Sequence, residues 1–345
     1  MVGARQGWWL GWMLVVTVWG APGRTQKWLT DLDEPVYRRE DAAYDVDILM
    51  PDVRPEKHDT YLCYKVPLDQ SEPSYIVGFE PKVAEHAAHH MLLYGCEVPG
   101  SADKDLWNCG EMSGSTIQPT CQQGAQILYA WAMDAPELKL PKDVGFEIGG
   151  NTDVKYLVLQ VHYNDVTKFK GGATDDSGVA LRMTDTPQKY MAGVYLLGVG
   201  RGDIPAHSTA NLDTACMYRD EPVLHPFAYR VHAHKLGQVV TGYRVREGVW
   251  ELIGQESPQL PQMFYPVRDE GLTISNGDIL AARCSYKNDL DHDVRIGATG
   301  ADEMCNFYIM YYTTGRHPLQ QNMCFRAGFH LQDAFDNIPK DAESP

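Results

Sequence analysis

Short apolar segments rich in β-branched and aromatic residues recur along this chain, and some of them alternate apolar with polar side chains, which is the pattern of β-strands. Turn-forming residues separate these segments, as at Pro99-Gly100 and Asn276-Gly277-Asp278. The sequence has no long stretch with the 3.6-residue period of an amphipathic helix. The pattern therefore predicts an all-β protein, either a sandwich or a jelly roll. Ten strands are expected, at 61–66, 74–79, 88–94, 126–132, 155–163, 194–199, 228–236, 239–245, 279–286 and 305–312.

The chain is long enough for two domains, since it has 345 residues. A turn-rich segment at 184–187 separates two strand-rich halves, so we expect a first domain at 41–187 and a second at 188–332. The flanking residues 21–40 and 333–345 include acidic stretches with few apolar side chains, and we expect both to be flexible.

The first twenty residues resemble a secretory signal peptide in composition. Arg5 supplies a positive charge, an apolar run of about a dozen residues begins at Trp8, and the small residues Gly20 and Ala21 suit cleavage. A signal anchor is the alternative, but the run is short for a membrane span. We therefore expect residues 1–20 to be removed. The mature protein would be soluble, without stable membrane insertion, in the secretory-granule lumen or outside the cell.

Composition narrows the class of protein further. Hydrophobic residues make up 44% and charged residues 22%, which excludes disordered, collagen-like and coiled-coil chains. The formal net charge of −16 disfavours a nucleic-acid binder, because such binding depends on basic patches.

The chain has eight cysteines, all beyond the predicted signal peptide. An even number in an oxidising compartment predicts four disulfides. Four cysteines lie before residue 125 and four after residue 215, so pairing within each half is expected. Spacing alone leaves three connectivities in each half. The absence of a CxxC motif disfavours a structural zinc or iron–sulfur site.

Histidines and one methionine are the candidate metal ligands. The period of two places Arg230, His232 and His234 on one strand face. His89-His90 is a doublet, and its members can bind one ion only at a bend, because neighbours on an ideal strand face opposite sides. The same alternation groups Met304 with Asn306 and Tyr308, and Gln160 with His162.

Each of these motifs alone has an ordinary interpretation. A single HxH motif or histidine doublet is more often incidental than a metal site, and a methionine in a strand usually packs in a core. Their joint occurrence in a secreted β-protein favours a metal, and a thioether beside imidazoles favours copper over zinc. The residues by themselves leave both interpretations open.

Four segments together resemble the copper type II, ascorbate-dependent monooxygenases, and among them the members that hydroxylate peptides ending in glycine. The resemblance extends from about residue 51 to about residue 326. It implies two jelly-roll β-sandwich domains, each with one copper, facing each other across a solvent-filled cleft. The segments are HHMLLYGC at 89–96, LQVHY at 159–163, YRVHAH at 229–234 with GYRV at 242–245, and MCNFYIMYY at 304–312.

The resemblance also implies a role for each candidate residue. The electron-transfer copper of the first domain would be held by His89, His90 and His162. The oxygen-binding copper of the second domain would be held by the catalytic residues His232, His234 and Met304. The substrate carboxylate would be bound by Arg230, Asn306 and Tyr308, while Tyr61 and Gln160 would lie around the first copper. The implied disulfides are Cys63–Cys109, Cys96–Cys121, Cys216–Cys324 and Cys284–Cys305.

The implied reaction is hydroxylation of the α-carbon of a C-terminal glycine, with ascorbate as reductant and dioxygen as oxidant. This is the first step of C-terminal peptide amidation, as in neuropeptide processing. A separate lyase would then release the amide, because the chain ends without a second catalytic domain, and we expect a monomer. The alternatives are a catecholamine-type hydroxylase of small amines in the same family and a secreted copper-binding protein without turnover. Met304 disfavours a third alternative, a zinc hydrolase.

Overall fold

The regular secondary structure of the described residues is almost entirely β-strand, so the all-β prediction is confirmed. Residues 41–345 form one compact unit. Among the described residues, no helix is long and apolar enough to cross a membrane. The predicted signal peptide at 1–20 and the segment at 21–40 lie outside the described residues. The structure is a computed structural model that describes residues 43–83, 88–110, 118–132, 135–297, 299, 301–314, 319, 322–325, 335 and 337–343.

The strands are numbered in chain order. Those of the first half are β1 (Tyr44–Leu49), β2 (Thr60–Pro67), β3 (Pro73–Lys82), β4 (His90–Cys96), β5 (Val98–Pro99), β6 (Leu106–Asn108), β7 (Cys121–Gln123), β8 (Gln126–Ala132), β9 (Leu138–Lys139), β10 (Val144–Gly149), β11 (Tyr156–Tyr163) and β12 (Gly178–Thr184). Those of the second half are β13 (Tyr190–Gly198), β14 (Asp203–Ile204), β15 (Ser208–Met217), β16 (His225–His232), β17 (Gly237–Arg246), β18 (Val249–Glu256), β19 (Tyr265–Pro266), β20 (Ile279–Asn288), β21 (Val294–Arg295), β22 (Asn306–Thr313) and β23 (Met323–Cys324). Short 3₁₀ helices lie at Thr167–Gly171 and Lys340–Glu343.

A ten-stranded sheet runs through both halves of the chain. Its order is β1-β12-β3-β10-β13-β22-β16-β19, with β9 paired to β3 and β23 paired to β13. The first half adds the five-stranded sheet β6-β2-β11-β4-β8, and the second adds the four-stranded sheet β15-β20-β17-β18. The halves join where β10 pairs in parallel with β13, with Val144 opposite Tyr190 and Gly145 opposite Met191. The expected boundary near residue 187 therefore lies between β12 and β13, which belong to one continuous sheet. The division into two jelly-roll domains stays a prediction.

The central strands of the ten-stranded sheet are buried on both faces. On β22, Phe307 belongs to the core of the second half, whereas its neighbour Tyr308 packs with the core of the first half. On β16, Val231 points into the core of the second half. Because side chains alternate along a strand, Arg230 and His232 lie on the opposite face, toward the first half. This alternation brings residues of the second half against those of the first.

All ten predicted strands are present, but three differ at ends near candidate ligands, and one of these, β4, begins at His90 rather than at residue 88. β16 ends at His232 rather than at residue 236, and β22 begins at Asn306. His234 and Met304 therefore lie outside the strands, and the prediction that strand alternation positions them is wrong. Five strands of six or more residues, β1, β10, β12, β15 and β18, are not among the predicted ones.

The structure has four disulfides, and the described residues include no free cysteine. The pairs are Cys63–Cys109, Cys96–Cys121, Cys216–Cys324 and Cys284–Cys305, with Cα separations of 5.7, 5.5, 6.1 and 5.8 Å. These are the pairs that the resemblance implies. Cys216–Cys324 joins β15 to β23 and has the largest sequence separation, 108 residues.

The C-terminal segment packs against the four-stranded sheet. Phe335 is buried and its ring contacts that of Trp250, with centroids 5.7 Å apart. Thr241 Oγ1 donates a hydrogen bond to the Ala342 carbonyl at 2.7 Å. The described residues of the segment at 333–345, which its acidic composition led us to expect to be flexible, therefore include apolar side chains that reach the sheet.

Replacing both Cys216 and Cys324 by serine should lower the free energy of unfolding by at most about 4–5 kcal/mol, the chain-entropy value for a loop this long. The double variant Cys284→Ser/Cys305→Ser, with a separation of only 21 residues, should lose about 3 kcal/mol by the same account. Urea unfolding of the three proteins measures both differences. A larger loss for the short loop would contradict an effect governed by loop length.

Candidate metal centre and substrate site

Three histidines from two neighbouring strands lie together in the first half. His90 on β4 is opposite His162 on β11. His89 lies in the bend before β4, and its backbone N–H donates to the His162 carbonyl at 2.9 Å. The bend allows the two adjacent side chains to serve one site, as the doublet requires. One ligand nitrogen from each ring lies within 4.8 Å of the others, so the three rings can share one metal ion.

Hydrogen bonds determine which ring nitrogen is available for a metal. His162 Nε2 lies 3.2 Å from Asp59 Oδ1, while its Nδ1 is buried without a hydrogen-bond partner in the described residues. His89 Nδ1 and His90 Nδ1 are 3.4 Å apart. A buried nitrogen without a partner is costly, and a metal ion would satisfy it. Tyr61 stacks on the His162 ring at 4.1 Å between centroids.

Burial keeps the rings of this group uncharged. The pKa of His162 is lowered to about 4, first because burial disfavours the imidazolium and second because His89 is near. Burial also lowers the pKa of His89 and lowers that of His90 well below its usual value. A neutral imidazole keeps the lone pair that a metal needs, so binding at neutral pH requires little proton release.

His232 and His234 form a second group, with ring centroids 5.3 Å apart. His232 Nδ1 lies 2.7 Å from Gln262 Oε1, and His234 Nδ1 lies 2.9 Å from the Asp302 carbonyl. Because amide and carbonyl oxygens only accept, each Nδ1 carries the proton. Each Nε2 is then left for a metal. The two groups therefore expose different nitrogens, Nδ1 of His162 in the first and Nε2 in the second.

Buried hydrogen bonds fix the segments that carry His234 and Met304 outside the strands. Glu303 is 1% exposed, and its carboxylate accepts the backbone N–H of His234 at 2.8 Å and of Leu236 at 2.7 Å. Tyr286 donates its hydroxyl to the Met304 carbonyl at 2.7 Å. These bonds substitute for the strand pairing that has ended.

The structure brings the two ligand groups together. The ring centroids of His90 and His232 are 6.0 Å apart. Met304 lines an adjoining space of about 40 Å³ together with both of these rings. A solvent-filled cleft between the halves stays a prediction. The other five predicted ligands line one cavity of about 230 Å³: His89, His90, His162, His232 and His234.

A buried arginine faces the smaller space. Arg230 is 3% exposed and donates through Nε to the Gln262 carbonyl at 2.9 Å and through a terminal nitrogen to Gln262 Oε1 at 3.2 Å. Its guanidinium lies 5.2 Å from the centroid of the Tyr308 ring, and Tyr308 also has a hydrogen bond with Asn306. In the described part of the chain, Arg230 has no ion pair with an Asp or a Glu, and burial lowers its pKa. The three residues that are expected to bind the substrate carboxylate therefore lie together, around a guanidinium that has no acidic partner among the described residues.

Gln160 is buried and also lines the smaller space. Its Nε2 donates to Thr120 Oγ1 at 2.9 Å and lies 3.5 Å from Cys109 Sγ. Its hydrogen bonds to described residues reach no histidine, so a role beside the first copper stays a prediction.

Five residues outside the predicted set position the ligands: Asp59, Gln262, Tyr286, Asp302 and Glu303. Asp302 and Glu303 immediately precede Met304, and that adjacency is a signal that sequence reasoning could have used. Asp59 and Gln262 reach their histidines from loops, and no periodicity in the sequence marks them.

Two family models match the chain. The N-terminal domain of copper type II ascorbate-dependent monooxygenases matches residues 46–170, and the C-terminal domain matches residues 190–333. The chain belongs to the copper type II, ascorbate-dependent monooxygenase family. Its members depend on copper and ascorbate, and the donors assembled here, neutral imidazoles and a thioether, are those that copper prefers.

Curated members of this family include clear relatives. The chain is 45% identical to the peptidyl-glycine alpha-amidating monooxygenase B of Xenopus laevis over 315 residues, which are 90% of this chain and 34% of that protein. It is 44% identical to the Mus musculus peptidyl-glycine alpha-amidating monooxygenase over 313 residues, 90% of this chain and 31% of that protein. The Homo sapiens dopamine beta-hydroxylase is 27% identical over 315 residues, 85% of this chain and 50% of that protein. The chain thus spans about a third of the length of the amidating relatives.

The protein stripped of metal and reloaded should bind two copper ions, and His162→Ala should bind one. The variant removes the buried Nδ1 that has no hydrogen-bond partner in the described structure. His207→Ala is the matched control, because His207 is exposed and pairs with Asp291 at 3.0 Å. Atomic absorption after dialysis counts the ions. One ion in the wild type, or two in His162→Ala, would contradict this assignment.

Proposed function

We propose that this protein hydroxylates the α-carbon of the C-terminal glycine in glycine-extended peptides, using copper, ascorbate and dioxygen. The supporting observation is Arg230, a buried guanidinium with no acidic partner in the described residues, beside the candidate copper ligands. A buried cation without an anion is unfavourable, and a substrate carboxylate would correct this. The similarity to two amidating monooxygenases also supports the proposal.

Arg230 would bind the terminal carboxylate of the peptide through two parallel hydrogen bonds, for which the planar guanidinium is suited. Tyr308 and Asn306 lie next to it and would contact the same end of the peptide. His232 and Met304 line the same space. Fixing the carboxylate would therefore hold the glycine α-carbon beside these two ligands, and such positioning contributes much of the rate in enzymes.

In this proposal His89, His90 and His162 hold one copper, and His232, His234 and Met304 hold the other. Bound copper would supply the one-electron steps and the activation of dioxygen. Two ascorbate molecules give one electron each. One oxygen atom of dioxygen enters the C–H bond as a hydroxyl, and the other leaves as water with two electrons and two protons. The product is a peptidyl-α-hydroxyglycine.

The second candidate, a hydroxylase of small amines, is represented in the family by dopamine beta-hydroxylase. Arg230 argues against it, because a protonated amine would be repelled by a buried cation that has no acidic partner among the described residues. The six candidate ligands alone do not separate hydroxylation from copper binding without turnover.

We place the protein in the secretory pathway, in the granule lumen or outside the cell. The four disulfides support an oxidising compartment. Cleavage of the hydroxyglycine product into amide and glyoxylate is a distinct reaction, which we assign to a separate lyase. The proposal includes a monomer in which residues 41–187 and 188–332 each hold one copper.

Dioxygen uptake coupled to ascorbate oxidation tests the proposed function. A short glycine-extended peptide should stimulate uptake, and its hydroxylated product should appear in equal amount by mass spectrometry. The C-terminal amide of the same peptide and tyramine are the comparison substrates. Stimulation by tyramine but not by the peptide would establish an amine hydroxylase, and no stimulation by either would leave a copper-binding protein.

Met304→Ile should abolish hydroxylation and leave the copper of the histidine-only group in place. Met304 is the only thioether in the ligand set, and isoleucine has a similar volume but no donor atom. Copper content and product formation are measured together. Met323→Ile, at an exposed methionine, is the control and should keep activity. A fully active Met304→Ile would remove this residue from the ligand set.

Arg230→Gln should lower kcat/KM for the glycine-extended peptide by about 10- to 150-fold, the value of a charge-assisted hydrogen-bonded pair of about 1.5–3 kcal/mol. The wild type should strongly prefer the free acid to the amide, and the variant should lose most of that preference while keeping both coppers. Arg246→Gln is the control, because Arg246 is paired with Asp278. If Arg230→Gln discriminates acid from amide as the wild type does, Arg230 does not bind the carboxylate.

A further inference from the structure

One amide side chain contacts both the candidate carboxylate site and a candidate copper ligand. Gln262 lies in the loop between β18 and β19 and is 6% exposed. Its Oε1 lies 2.7 Å from His232 Nδ1 and 3.2 Å from a terminal nitrogen of Arg230. Its Nε2 donates to the carbonyls of Ala233 at 3.2 Å and Pro258 at 2.9 Å. The amide therefore uses all of its hydrogen-bonding capacity.

These partners fix the orientation of the Gln262 amide. Two carbonyl oxygens face Nε2, and two donors, a ring N–H and a guanidinium, face Oε1. Rotating the amide by 180° would place donors against donors and acceptors against acceptors, so only one orientation is satisfied. The same oxygen is consequently shared between Arg230 and His232.

A shared acceptor links the two groups that donate to it. While Arg230 donates to Oε1, the oxygen has less electron density to offer to His232 Nδ1–H. A carboxylate that draws the guanidinium toward itself would release Oε1 to accept more strongly from the ring. A stronger bond at Nδ1–H makes Nε2 a better metal donor. Arg230 would stay anchored, because its Nε also donates a hydrogen bond to the Gln262 backbone carbonyl at 2.9 Å, and this bond does not involve the side-chain amide.

We propose that Gln262 is a positioning residue that couples carboxylate binding at Arg230 to metal binding at His232. Each ligand tightens the binding of the other through the shared Oε1. This inference rests on the proposed function, because it takes Arg230 as the carboxylate site and His232 as a copper ligand.

Calorimetry without ascorbate measures this coupling free of turnover. The dissociation constant of a short glycine-extended peptide is determined for the copper-free and the copper-loaded protein, and the ratio of the two constants is the coupling. We expect a ratio of about 5 or more in the wild type, the lower end for coupled sites. In Gln262→Met the ratio should fall at least threefold, with both coppers bound. Direct attraction between copper and carboxylate is the same in both proteins and does not affect the comparison.

Gln259→Met is the matched control. Gln259 is exposed on the same loop and donates to the carbonyls of His234 at 2.7 Å and Gly237 at 2.9 Å. It supports the same turn and contacts neither Arg230 nor a ring nitrogen through these bonds. Its replacement should leave the coupling ratio unchanged, so an equal loss in both variants would show a structural effect and overturn the coupling.

Gln262→Glu provides a second measurement in case Gln262→Met folds poorly. A carboxylate keeps an acceptor for His232 but forms an ion pair with Arg230 and competes with the substrate. Copper content should be retained, and binding of the peptide acid to the copper-free variant should weaken about 10-fold, as for a charge-assisted bond. Wild-type acid binding in this variant would overturn the proposal.

The outcomes separate the two proposals. A wild-type protein that binds the peptide acid no better than its amide would contradict the proposed function. A wild type that does discriminate, together with an undiminished ratio in copper-loaded Gln262→Met, would overturn only the role of Gln262.

Discussion

The alternation of side chains on β16 and β22 is the constraint on which the candidate site depends. Val231 and Phe307 are held in the core of the second half. The side chains directly before and after each of them along its strand must therefore face the first half. A register slip of one residue would expose those core side chains and turn the functional ones into the core. The polar face is thus positioned by apolar residues that take no part in the chemistry.

Two buried polar groups of the candidate site have no hydrogen-bonding or charged partner that suits them among the described residues. His162 Nδ1 has no partner among the described residues, and the guanidinium of Arg230 has no carboxylate there. Each arrangement is unfavourable by itself, since a buried charge or unpaired nitrogen loses its hydration. Both become favourable when a cation and an anion are supplied. A metal cation would satisfy the histidine nitrogen, and a carboxylate would balance the guanidinium.

From local composition and motifs that resemble a family, the sequence predicted ten of the strands and the all-β class and indicated candidate ligand residues. It did not predict how His234 and Met304 are held, because both lie past the strand ends, where hydrogen bonds from Glu303 and Tyr286 fix the chain. Gln262 could not have been identified from the sequence, because only the folded chain brings it into contact with Arg230 and His232. The contact of Phe335 with the four-stranded sheet could not be predicted for a similar reason, because the acidic composition of the C-terminal segment gives no sign of it.

The core of the first half contains side chains from the second half, among them Val194, Leu196 and Met310. Neither half can bury its own apolar surface alone, so the chain should melt in one cooperative transition rather than two. Any ligand that binds only the folded chain then protects all of it, by an amount set by its concentration relative to its dissociation constant. Copper taken up by either histidine group would consequently raise the melting temperature of the other half as well. Supply of the metal in the compartment would govern the lifetime of the whole chain as well as its activity.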